Sequence, residues 1–139
     1  MRVLAVDDNE IHCYALRKVL ENSGFDVSVA HNGSDALTIA QDQKPDVVLL
    51  DINLPDLTGF EVCTRLKQDD STKGIAVVFH SATETTGPAK SYARSVGAVG
   101  FLTYPIDPNQ LATVVRGAAA RASASGAHAV DHSGPAQQV

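Results

Sequence analysis

The chain is poor in cysteine, in long apolar runs and in positive charge, and each shortage excludes something. Only Cys13 and Cys63 occur in 139 residues, without the close spacing of metal-binding thiols, so neither a disulfide framework nor a thiolate metal site is expected. Both lie in segments of helical periodicity and are expected as buried, reduced thiols. The longest apolar runs, such as VVLL at Val47 to Leu50, fall far short of the ~18 residues a membrane span needs. The N-terminus also lacks a basic segment followed by a cleavable apolar one. A cytoplasmic location with no membrane partner is the expectation. Lys and Arg number 11 against 16 Asp and Glu, for a formal net charge of -5, and no dense basic run occurs. Direct binding to nucleic acid is therefore not expected.

What is present is an alternation. Short apolar runs at Val3 to Val6 (VLAV), from Phe25 (FDVSVA), from Val47 (VVLL), from Ile75 (IAVVF) and from Gly100 (GFLT) read as five strands. Between them, Ile11, Ala15, Leu16, Val19 and Leu20 share one helical face before Gly24, and Ala36, Leu37 and Ala40 do so before Pro45. Thr58 with Glu61, and Asp107 with Pro108 and Gln110, carry side-chain oxygens that satisfy the free amides of a first helical turn. Strict alternation of strand and helix predicts a doubly wound α/β fold, a parallel sheet with helices on both faces. One domain is expected over residues 1–122. Beyond it the sequence is rich in Ala, Ser, Gly and His with few large apolar residues, and residues 123–139 are expected as a flexible tail. His128 and His132 read there as solvated residues, with metal ligation the alternative.

Ligand sites of open parallel sheets lie outside the C-terminal ends of the strands. The first strand here ends in Asp7 and Asp8, the third in Asp51, the fourth in Ser81, and the fifth in Thr103 and Tyr104. Three carboxylates are thus expected to converge. Like charges that close need a cation or must hold protons, and a hard ion such as Mg2+ or Mn2+ is the simplest remedy. The alternative is that the three are unrelated caps and loop residues.

Four stretches in order, VLAVDDNE from Val3, VVLLDINLPDLTGFEV from Val47, VVFHSA from Val77 and GFLTYP from Gly100, resemble the receiver domain of two-component response regulators. The resemblance implies a five-stranded, flavodoxin-like sheet of order 2-1-3-4-5. It implies Asp51 as the acceptor of a phosphoryl group from a histidine kinase, a phosphotransfer protein or a small-molecule donor. Asp8, Asp51 and the main-chain carbonyl of Asn53 would hold Mg2+, with Asp7 acting through a water. Ser81 matches a hydroxyl that later bonds the phosphoryl group, and Phe101 an aromatic residue whose rotamer follows; Phe101 as plain core is the competing reading. Pro105 matches a proline preceded by a cis bond. Output is expected through the fourth helix, fifth strand and fifth helix to a downstream protein target, since no DNA-binding or enzymatic output segment is legible.

One position departs from the resemblance. The residue before Pro105 would be a lysine and is Tyr104, which donates a hydrogen bond but carries no positive charge at neutral pH. Lys73, Lys90 and Arg94 are not expected to face the pocket in its place. By strand alternation His80 is expected to point away from the site, and His12 and His31 have no partners that the sequence names. Two functions follow: a phosphoacceptor module that is not an enzyme beyond its own phosphorylation and dephosphorylation, or an adaptor that binds partners without phosphorylation. A phosphohydrolase is disfavoured because Asn53 stands where a second acid is needed, and a flavin site because the acidic DDNE would repel phosphate.

Overall fold

The computed structural model describes residues 1–82 and 87–131, with side chains described as far as residue 122. Ten elements alternate along the chain: β1 (Arg2–Val6), α1 (Glu10–Asn22), β2 (Asp26–Ala30), α2 (Gly33–Gln43), β3 (Val47–Asp51), α3 (Gly59–Gln68), β4 (Ala76–Ser81), α4 (Gly87–Ser95), β5 (Gly100–Thr103) and α5 (Pro108–Asp131). The strands form one parallel sheet of order β2-β1-β3-β4-β5. This is the doubly wound architecture read from the sequence.

Period-two alternation splits the strand residues between two cores. Leu4, Val6, Val48, Leu50, Val77 and Phe79 pack with residues of α2, α3 and α4 on one face. Val3, Ala5, Val47, Leu49, Val78 and Leu102 pack with α1 and α5 on the other. β1, β3 and β4 are central and covered on both faces, which is why their apolar residues run without interruption. Cys13 and Cys63 are buried free thiols within these layers. Burial raises the Cys63 thiol to about 11.

The helix starts follow the side-chain oxygens seen in the sequence. Thr58 accepts from the Glu61 amide at 3.1 Å and Asp107 from the Gln110 amide at 3.1 Å. Asn9 caps α1 in the same way, accepting from Ile11 and His12. A further cap crosses between elements. The Asp56 carboxylate, in the β3–α3 loop, accepts from the amides of Gly33 and Ser34 at 2.7 and 2.9 Å, tying that loop to the first turn of α2 and holding its carboxyl below the usual range.

Residues 123–131 continue α5 as helix, in keeping with their alanine content, since alanine is the best helix former. Residues 132–139, including His132, and the side chain of His128 lie outside the described residues.

Gly59 fixes how closely α3 approaches the end of β3. Its amide donates to the Ile52 carbonyl at 2.7 Å, and a Cβ there would collide with the Asp51 carbonyl oxygen and stand 2.9 Å from the Ile52 Cα. Backbone cannot yield as a flexible side chain does. Gly59→Ala is therefore expected to destabilise the fold by about 1–3 kcal/mol, read as a lowered urea midpoint at unchanged slope. A variant as stable as the parent would show that the β3–α3 junction is slack.

Candidate functional site

β1 and β3 lie side by side, so the residues that follow or end them meet. One carboxylate oxygen from each of Asp7, Asp8 and Asp51 lies within 4.8 Å of the others. They line a cavity of about 240 Å³ with Asn9, His12, Asn53, Ala82 and Tyr104. Asp7 is buried, Asp51 partly buried and Asp8 exposed.

Asp7 is held on both ends of its carboxylate. The Asn9 amide donates to Oδ1 at 2.9 Å, and His12 Nδ1–H donates to Oδ2 at 3.1 Å. Its main-chain carbonyl accepts from His31 Nδ1–H at 3.0 Å and from the Cys13 thiol at 3.2 Å. Asp51 is held less, by the Asn53 amide at 3.1 Å. Burial first, then the Asp7 and Asp8 charges, push the Asp51 carboxyl up to about 7, against the opposing pull of that amide. Three hard oxygen donors that repel one another around an open cavity fit a divalent cation of the Mg2+ type. The Asn53 carbonyl belongs to a lining residue of the same cavity.

Tyr104 faces this cavity, as its position before Pro105 led one to expect, and the Tyr104–Pro105 bond is cis. Its surroundings include a residue that sequence reasoning turned the wrong way. His80 is wholly buried, and its Nε2 lies 3.1 Å from the Val6 carbonyl while its Nδ1 lies 3.4 Å from the Tyr104 hydroxyl and 3.9 Å from Asp7 Oδ2. Alternation along β4 does put Ser81 and His80 on opposite faces. The acids, however, stand on the His80 side: Asp51 and His80 are register partners on adjacent parallel strands, and paired residues point to one face.

The chemistry fixes the hydrogens. A carbonyl only accepts, so His80 Nε2 carries the proton, and burial lowers the ring to about 4, so the imidazole is neutral at pH 7. Nδ1 is then an acceptor, and the Tyr104 hydroxyl donates to it. Burial, then the charges of Asp7 and Asp51, push the phenol above its ordinary value, so Tyr104 stays neutral. The His12 ring also lies against Tyr104, ring centroids 4.8 Å apart. Two histidines thus contact the tyrosine. His12 was legible only in retrospect, as the third residue of a helix that starts just after Asp8.

The remaining expected residues divide. Ser81 is buried at the end of β4, where its carbonyl accepts from the Tyr104 amide at 3.2 Å. It is not among the cavity's lining residues; Ala82 is. Residues 83–86, which follow, lie outside the described residues. Phe101 is half-buried on the opposite face of the sheet, packed against the core that holds Phe79, with the Lys90 ammonium 5.9 Å from its ring centroid. Lys73 pairs with Asp70 at 3.1 Å. Among the described lining residues, His12 is the one that can carry positive charge.

Comparison with known proteins now decides the family. The model of the response regulator receiver domain matches residues 3–116. The chain belongs to that family. It is 38% identical over 110 residues to protein PilH of Pseudomonas aeruginosa, covering 79% of this chain and 90% of PilH. It is 40% identical over 115 residues to the response regulator PleD of Caulobacter vibrioides, covering 83% of this chain but 25% of PleD. Among solved structures, the chemotaxis protein CheY4 of Vibrio cholerae superposes with a TM-score of 0.79 at 32% identity, over 84% of this chain and 97% of that one. A CheY-like receiver domain protein of Methanospirillum hungatei, at 21% identity, shares the fold with a TM-score of 0.82 over 90% of this chain and 98% of that one. Among the described residues no helix of this receiver is long and apolar enough to cross a membrane.

Burial and charge crowding in the receiver's pocket have a pH signature. Asp51 in the folded protein keeps its proton up to about pH 7, whereas unfolded it loses it near 4. Between those values the folded state holds more protons, so this group's contribution to stability falls as pH rises. His80 acts oppositely, since its folded value of about 4 lies below the unfolded ~6.5, and its contribution rises with pH over that window. The difference between parent and Asp51→Asn isolates the first effect. In metal-free buffer the variant is expected to gain melting temperature over the parent progressively from about pH 4 to about pH 7. A gap independent of pH would mean that neither burial nor the neighbouring acids raise the Asp51 carboxyl.

Proposed function

We propose that this receiver is a phosphoacceptor module of a two-component phosphorelay, phosphorylated on Asp51. What supports the proposal is the convergence of Asp7, Asp8 and Asp51 on one cavity. An Asp51 carboxylate oxygen attacks the phosphorus of a phosphohistidine on a kinase or phosphotransfer protein, or of a small acyl phosphate. A new O–P bond forms, the bond from phosphorus to the donor breaks, and the donor leaves with that electron pair. Asp8, Asp51 and the Asn53 carbonyl would hold Mg2+ or Mn2+, with Asp7 acting through a water. Such an ion, when bound, supplies the positive charge that offsets the negative oxygens of the transferring group.

The chain's own residues contribute position and hydrogen bonds. Asn9 and His12 orient Asp7, the Asn53 amide orients Asp51, and Ala82 leaves the approach to Asp51 open. Tyr104, neutral, offers less to a phosphoryl oxygen than an ammonium, because charge-assisted hydrogen bonds are roughly twice as strong as neutral ones. Ser81 and Phe101 would carry the switch toward α4, β5 and α5, and through that face to a downstream protein target. The domain would end near residue 122, and neither membrane nor nucleic acid is a partner in this reading.

The neutrality of Tyr104 favours a second reading, an adaptor that binds partners without being phosphorylated. Incubation with acetyl phosphate and Mg2+, followed by intact mass, separates the two. The parent is expected to gain one phosphoryl mass and Asp51→Asn none. Phosphate on a serine or histidine would overturn the assignment, and no incorporation at all would leave the adaptor.

A further inference from the structure

His80 is wholly buried in β4 and takes no part in the proposed phosphoryl transfer. Both of its ring nitrogens are nonetheless engaged. Nε2 lies 3.1 Å from the carbonyl of Val6, the last residue of β1, and Nδ1 lies 3.4 Å from the hydroxyl of Tyr104, the residue that follows β5. The two bonds are not independent. A carbonyl only accepts, so the one proton of the neutral ring stays on Nε2, and Nδ1 is left as an acceptor. A hydroxyl has a single hydrogen, and that of Tyr104 goes to Nδ1. Asp7 is the other acceptor near this hydroxyl, but its Oδ2 already accepts from His12 at 3.1 Å. What the phenol oxygen keeps for the cavity it lines is its lone pairs.

We propose that His80 is a positioning residue that fixes the direction of the Tyr104 hydrogen bond, so that residue 104 accepts from the waters of a bound divalent cation and withholds its hydrogen from a phosphoryl oxygen. The proposal rests on the phosphoacceptor reading and adds a restraint on that same pocket. Turning the hydroxyl toward a phosphoryl group would strip the buried Nδ1 of its partner. A buried acceptor left unsatisfied costs more than one neutral hydrogen bond returns, so the bond to His80 persists in the free and the phosphorylated protein alike. Mg2+ keeps several of its waters, and each water has hydrogens to give. A phenol oxygen accepts one of them where an ammonium would repel the ion. The pair thus biases the pocket toward the cation and away from the phosphoryl group.

The direction of the bond is read first, on the metal-free, unphosphorylated full chain at neutral pH, by proton–nitrogen NMR of the histidine rings. His80 is expected as the neutral Nε2–H tautomer, with the Tyr104 hydroxyl proton protected from exchange. A charged ring or an Nδ1–H tautomer would overturn the proposal. No variant and no phosphate donor is involved, so this failure is distinct from a failure of Asp51 to accept phosphate, and the test survives a variant that does not fold. His80→Gln then keeps an amide N–H for the Val6 carbonyl and removes the ring Nδ1 beside Tyr104. The freed hydroxyl is expected to donate to the phosphoryl group, raising the rate of phosphorylation by acetyl phosphate and Mg2+ roughly three- to tenfold by intact mass, the worth of one neutral hydrogen bond. His80→Asn, whose Oδ1 restores an acceptor, is expected to return that rate toward the parent's. The sign is telling, because replacing a residue that merely fills the core would lower the rate. In a Tyr104→Phe background the gain is expected to vanish, and Tyr104→Phe alone to weaken Mg2+ binding severalfold in a thermal-unfolding titration. Unchanged or slower phosphorylation of folded His80→Gln, a gain that survives Tyr104→Phe, or Mg2+ binding indifferent to Tyr104→Phe would overturn the proposal.

Discussion

Mutual repulsion among Asp7, Asp8 and Asp51 is the constraint around which the rest of the site is arranged. The parallel sheet makes the repulsion unavoidable, because β1 and β3 are neighbours and both end at the same edge. Each local feature either tempers it or holds the acids against it. Asn9 and His12 pin Asp7, the Asn53 amide pins Asp51, and the Asp56 cap holds the β3–α3 loop to α2. Gly59 lets α3 start directly against the Asp51 carbonyl. A pocket that costs stability when empty of cations is a pocket ready to bind one, since an ion that binds only the folded state recovers that cost.

Tyr104 decides how this receiver relieves the strain of charge. An ammonium in its place would neutralise part of the cluster permanently. A phenol held by neutral His80 relieves none of it. The hydroxyl's bond to His80 Nδ1 and the tilted ring contact with His12 orient the phenol, but they place a dipole where a charge would stand. The consequence runs in two directions: a divalent ion meets no competing cation from residue 104, and a phosphoryl group meets no fixed one. Among the described residues lining the cavity, His12 is the one that could substitute, and it already pairs with Asp7.

The meeting of the three acids was legible in the sequence, because it follows from where strands end. The sheet order was implied by the family resemblance alone. The face of α1 was legible only in part, since Leu16 and Leu20 are buried but Ile11, read on the same face, is 77% exposed. What was not legible depends on register. His80 looked turned away because Ser81 was taken to mark the site's face; only the pairing of Asp51 with His80 shows which face the acids share. His12 and His31 acquire partners through a main-chain carbonyl and a carboxylate brought close by folding, and no spacing announces that.

The most direct test of this account is a Mg2+ titration of parent and Tyr104→Lys, followed by thermal unfolding. The parent is expected to gain stability steadily through millimolar Mg2+. An ammonium beside Asp51 should compete with the ion and weaken its binding by about tenfold, the scale of a hydrogen-bonded charge at a partly buried site. Equal or tighter Mg2+ binding by the lysine variant would contradict the claim that residue 104 leaves the cluster's charge uncompensated.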